Sequence, residues 1–158
     1  MEKEKRRKRQ LGIWGLRILL LSALLFLYPM DSQAAKTDKY GTFTGKAPDT
    51  YSISGDTLYF YPKKIYYSGN KIVCYAYVVN KTGHKIKGLS DVTLTLRNKK
   101  KKTVAQYTFK KKRNITIANN KYKTIKYIFP KSSVKMKKFY FKNAKRMSIR
   151  ASFTYYLP

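Results

Sequence analysis

The sequence predicts an all-β chain, an antiparallel sandwich behind an N-terminal signal peptide, on three observations. Past Tyr51, apolar and polar residues alternate at period two in short runs, the pattern of half-buried strands. Gly, Asn and Pro bound these runs and supply the turns. No stretch there joins a helical period to a capping residue. The clearest unit is DVTLTLRNKKKKTVAQYTFK, residues 91–110. Val92, Leu94 and Leu96 alternate with Thr93, Thr95 and Arg97, and Ala105, Tyr107 and Phe109 alternate with Gln106 and Thr108. Two strands around a lysine-loaded turn result. Their apolar face needs a partner surface, which residues 71–80 and 146–156 are expected to supply.

The chain begins with an address. Lys3, Lys5, Arg6, Arg7, Lys8 and Arg9 precede an apolar run that reaches Tyr28 with Arg17 inside it, and Ser32-Gln33-Ala34-Ala35 follows. A basic region, a short apolar region and small residues at −3 and −1 describe a secretory signal peptide, residues 1–34. An uncleaved membrane anchor is the alternative, although residues 11–28 are near the lower length limit for a span and include Arg17. Either way the basic end stays in the cytosol and the rest is exported. The protein is therefore expected to be secreted or held on the extracellular side of the cell envelope. Residues 35–50, with Gly41, Gly45 and Pro48, read as a flexible leader, and residues 51–158 as the sandwich domain.

Within the domain, residues 57–61 read as a strand, which Pro62 interrupts as at an edge or bend, and residues 64–67 continue it. Ser68-Gly69-Asn70 is a turn. Residues 71–80, KIVCYAYVVN, are apolar on both faces and read as a central strand. Residues 81–83 turn the chain toward the hairpin of 92–97 and 103–109. Residues 122–129 place Ile125, Tyr127 and Phe129 on one face, and Pro130 ends them. Residues 138–141 form a short aromatic piece. Residues 146–156 close the domain with Met147, Ile149, Ala151, Phe153 and Tyr155 inward. Six to eight strands at this spacing imply an immunoglobulin-like sandwich, with a small open barrel as the alternative.

YVVNKTGHKIKGLSDVTLTLRNKKKKTVAQYTF followed by ITIANNKYKTIKYIF resembles the SLAP domain of Gram-positive bacterial surface proteins. The resemblance runs over residues 71–130 and rests on Asn80, Ile86, Lys87, Leu94, Leu96, Val104, Ala105, Phe109, Tyr127 and Phe129. It implies an exported sandwich at the cell surface with no catalytic chemistry. Such modules carry an acidic-Gly hairpin and a Pro before the last strand. This chain has Lys99–Lys102 and Ala118-Asn119-Asn120 in those places, so a partner that depends on an acidic hairpin is not implied here.

Charge narrows the function classes. The chain holds 36 Lys+Arg against 7 Asp+Glu. Residues 1–34 account for seven of the bases and three of the acids, which leaves the exported part at net +25 with no Glu. Of the bases 28 are Lys and 8 are Arg, which favours diffuse attraction to anions over fork-shaped readout. Candidate anion-binding residues are Lys99, Lys100, Lys101, Lys102, Lys110, Lys111, Lys112, Arg113, Lys135, Lys137 and Lys138. The first and second runs flank one strand, so charge is expected to be spread over the domain rather than gathered in one groove. The expected partner is anionic cell-wall polymer or an anionic lipid surface. Another envelope protein is the alternative, with the chain as accessory subunit of a surface-layer or secretion assembly. Export argues against nucleic acid. No enzyme and no cofactor is expected: His84 reads as an exposed turn residue, Asp91 has no nucleophile motif beside it, and Cys74 reads as a buried thiol.

Overall fold

The computed structural model describes residues 39–158. The readings of a signal peptide or anchor over residues 1–34 lie outside the described residues. The strands are β1 (Thr42–Thr44), β2 (Leu58–Ser68), β3 (Lys71–Asn80), β4 (Ile86–Asn98), β5 (Thr103–Phe109), β6 (Arg113–Ile117), β7 (Tyr122–Phe129) and β8 (Met147–Tyr156). Two 3₁₀ turns, Lys131–Ser133 and Phe141–Asn143, lie between β7 and β8.

The strands form two antiparallel sheets. The first has the order β1-β2-β3-β7. The second is built on β4, which pairs with β8 along one side and with β5 and then β6 along the other. Connections cross between sheets from β3 to β4, from β6 to β7 and from β7 to β8, as in immunoglobulin-like sandwiches. The all-β sandwich expected from the alternation is what the chain forms.

Between the sheets, Ile72, Cys74, Ala76 and Val78 of β3 join Val92, Leu94 and Leu96 of β4 and Ile125, Tyr127 and Phe129 of β7 in one buried cluster. Burying each Leu or Ile removes apolar surface from water and contributes about 1.5–3 kcal/mol. Strand β3 also buries Val73, Tyr77 and Val79 on its other face, as a central strand should. The turn before it fits its sequence. Gly69 has φ 59 while Asn70 stays at negative φ, the pattern of a type II′ hairpin turn with Gly first.

Several elements differ from the sequence reading. Residues 146–156 do not face the hairpin across the core. They form β8, paired beside β4 from Gly88 to Asn98, and the facing surface comes from β2, β3 and β7. Period-two patterning marks a buried face but does not say which strand lies alongside, so both placements fit it. Tyr155, expected inward, is 39% exposed. Within the stretch read as a leader, Thr42–Thr44 pairs with β2 as β1. That pairing reaches only from Lys64 to Tyr66, so Pro62 sits where β2 is an edge, at a register shift between Pro62 and Lys64. Arg113–Ile117 is a strand hidden behind a lysine run, with Ile117 buried. Residues 138–141 form no strand; Phe141 is buried at the start of a 3₁₀ turn.

One polar side chain ties the connections together. Asn80 is fully buried, and its Nδ2 donates to the carbonyls of His84 at 2.7 Å and Ile117 at 2.8 Å. Its Oδ1 accepts from the backbone N–H of Thr82 at 3.0 Å and lies 2.8 Å from the Thr82 hydroxyl. Its backbone bonds to Lys121 and Asn120. The β3–β4 connection, the end of β6 and the turn into β7 are thereby held by one amide whose hydrogen-bonding capacity is fully used.

Candidate functional site

Strand β4 carries one extra residue relative to β8. Ser90 pairs with Thr154 and Thr93 with Ser152, and Asp91 takes up the difference at φ 50. On the opposite side the pairing passes from Val92↔Phe109 to Leu89↔Arg113. Lys110, Lys111 and Lys112 lie in that interval and leave the ladder between β5 and β6.

A groove of about 1300 Å³ opens at this break, between the β5–β6 side of one sheet and β7 of the other. Residues 106–109 and 113–115 line one wall, residues 124–126 the other, and Lys135 reaches it from the loop after β7. Six of the lining residues are basic (Lys110, Lys111, Lys112, Arg113, Lys126, Lys135) and none is acidic. A cleft lined by one sign of charge focuses potential more than the same charges on a convex surface.

The basic side chains have different attachments. Arg113 spans the sheets: its Nη1 donates to the Lys126 carbonyl at 3.1 Å, and its guanidinium carbon lies 4.9 Å over the Tyr127 ring. Tyr127 is fully buried, packs against Phe109 at 4.9 Å, and its hydroxyl has no hydrogen-bond partner. Burial pushes that phenol well above its ordinary value, with the Arg113 charge pulling the other way. Lys112 places its ammonium 4.1 Å over the Tyr156 ring. Tyr156 in turn meets Ser90 Oγ at 2.8 Å, and that hydroxyl donates to Asp91 Oδ2 at 2.8 Å. Lys135 is placed by its backbone N–H, which donates to the Val104 carbonyl at 2.9 Å. Lys126 has its ammonium 5.8 Å from the Tyr75 ring, at the rim. All five lysines of the groove are exposed, and Arg113 is half-buried.

Five of the residues singled out from the sequence therefore share one groove: Lys110, Lys111, Lys112, Arg113 and Lys135. Lys99, Lys100, Lys101 and Lys102 do not. They sit exposed at the other end of β5, on a turn closed by Asn98. Lys137 and Lys138 are exposed and do not line the groove. Lys126, which is not among the candidate anion-binding residues, also lines the groove. Alternation alone put it on the opposite face from Ile125 and Tyr127, and only the tertiary fold brings that strand beside β5 and β6.

The residues weighed for chemistry lie elsewhere. His84 is exposed, and its backbone carbonyl, not its ring, bonds to Asn80. Burial pushes the Cys74 thiol up to about 12, which leaves it unreactive at neutral pH. Among the described residues no three His, Cys, Asp or Glu side chains gather as a metal site. No helix among them is long and apolar enough to cross a membrane.

The fold and groove define a small β-sandwich module with a basic cleft at one edge. A family model for the SLAP domain matches residues 64–148, from the middle of β2 into β8, and the chain belongs to that family. The match makes it a surface-associated protein module and extends beyond the 71–130 stretch that carried the resemblance. No curated protein matches the chain.

Proposed function

We propose that this chain is a non-enzymatic binding module of the cell envelope, retained on its outer side by attraction of the cationic sandwich to an anionic wall polymer or lipid surface. The observation that carries this reading is the convergence of Lys110, Lys111, Lys112, Arg113 and Lys135 in a groove with no acid in its lining. A domain so far from neutrality repels itself and is offset by anions in its surroundings. Such binding draws its free energy from counterion release and weakens steeply with salt.

The test is a salt wash of cells that make the protein. Stepwise release as salt rises, with the protein intact after signal cleavage, is the expected outcome. Retention at high salt sinks the electrostatic reading. It would favour the second reading, an accessory subunit held by another envelope protein, which family membership supports and which a crosslinked partner surviving high salt would identify.

A further inference from the structure

We infer that the groove between β5–β6 and β7 is a seat for one extended phosphodiester chain, and that the other exposed lysines contribute only general attraction. The inference rests on the proposed retention by anions and adds a place and a ligand chemistry to it. The placement of the cations favours a chain over a bilayer, and their chemistry suits phosphate. The cations come from the β5–β6 break and from the separate loop that carries Lys135, so a linear polymer lying along the groove reaches several at once. Lys110, Lys111 and Lys135 are exposed along the groove, and a lysine ammonium binds phosphate as a point charge. Arg113 is held by the Lys126 carbonyl and the Tyr127 ring, so the lysines are the cations left for the chain. Lysines on free strand edges also have a blander use, keeping edges from pairing with other molecules. Edge protection does not require Lys135, which comes from a separate loop and closes the same groove.

The experiment is a charge-matched comparison on the domain at physiological salt. One variant replaces Lys110, Lys111, Lys112 and Lys135 with Gln. The other replaces Lys99, Lys100, Lys101 and Lys102 with Gln. Both lose four charges, so diffuse attraction falls alike. The probe is a short poly(glycerol phosphate) chain, with phosphatidylglycerol vesicles and poly-glutamate as comparison ligands. The groove variant is expected to bind the phosphodiester chain at least about ten-fold more weakly, and its salt slope to shrink by about 3, at roughly 0.7 per lost contact. The turn variant is expected to stay within about two-fold of the parent. A third variant with Arg at the four groove positions is expected to keep binding, which separates lost charge from lost fold.

Equal weakening in the groove and turn variants overturns the seat and leaves the retention reading standing. Loss of binding in the Arg variant shows that the loss in the Gln variant is not one of charge and overturns the seat. Poly-glutamate bound as tightly as the phosphodiester chain overturns the ligand class in favour of an acidic polypeptide. Vesicles bound in preference to the chain overturn it in favour of a membrane. A parent domain that binds none of the three takes the retention reading down with the seat.

Discussion

Two lysine runs flank strand β5, and in sequence they look alike. In the fold they differ in kind. The turn run, Lys99–Lys102, closes the β4–β5 hairpin. The Lys101 N–H donates to the Asn98 carbonyl at 2.9 Å, the Lys102 N–H to Asn98 Oδ1 at 3.1 Å, and all four lysines are exposed. The groove run, Lys110–Lys112, is a break in a sheet edge with a second sheet beside it. Both runs are exposed; the break differs in sharing its groove with Lys126 and Lys135, and a cleft lined by one sign of charge focuses its potential. Equal charge thus does not mean equal placement.

The largest expected effect separates two asparagines, one at the end of β6 away from the groove and one in the turn. Asn80 is buried and fixes the end of β6 through the Ile117 carbonyl at 2.8 Å, whereas Asn98 bonds the turn through an exposed contact at 3.1 Å. Asn80→Ala leaves the His84 and Ile117 carbonyls and the Thr82 N–H without their partner, and each loss costs about 1–3 kcal/mol. We expect urea unfolding to show the domain destabilised by about 3 kcal/mol or more, against about 0.5 kcal/mol for Asn98→Ala. Equal losses would mean that the buried amide holds the end of β6 no more firmly than Asn98 holds its turn.

The chain showed its strands more plainly than its groove. Val92, Leu94 and Leu96 declare a buried face by alternation, and all three are buried in the core. The double-sided apolarity of β3 likewise announced a central strand. Local patterns of this kind need only neighbouring residues. The groove needs residues far apart in sequence: Lys110, Lys126 and Lys135 meet because β6 crosses to β7 in the other sheet and because the loop after β7 returns to Val104. Nothing within a lysine run says whether it ends on a tip or in a cleft. The five-residue β6 was also concealed, since Arg113 and Asn114 read as the end of a charged run until their pairing with Leu89 and Gly88 is seen.

A smaller effect sharpens the groove side. Tyr127 keeps a buried hydroxyl with no partner beneath the Arg113 guanidinium. Leaving such a group unpaired costs on the order of 1–3 kcal/mol, part of which the phenylalanine ring recovers. Tyr127→Phe is therefore expected to raise stability by about 1 kcal/mol in urea unfolding. The guanidinium still stacks on a ring, so affinity for the phosphodiester chain is expected to hold. A drop in stability would show that the hydroxyl is satisfied, and a drop in affinity without it would make that hydroxyl part of the seat.

The smallest effect belongs to the turn. Lys101 adopts φ 59, the left-handed region that hairpins of this length usually give to Gly. Relieving that strain returns about 1 kcal/mol. Glycine's greater freedom in the unfolded chain takes back about 0.5 kcal/mol. Lys101→Gly is thus expected to raise stability by about 0.5 kcal/mol, read as a higher urea midpoint at unchanged slope. It removes one charge from the tip and none from the groove, so binding to the phosphodiester chain should change no more than any single exposed charge would change it. A loss matching that of Lys111→Gln would erase the distinction between the runs. Unchanged affinity together with higher stability would show that the tip lysine is kept at a cost to the fold that the groove does not require.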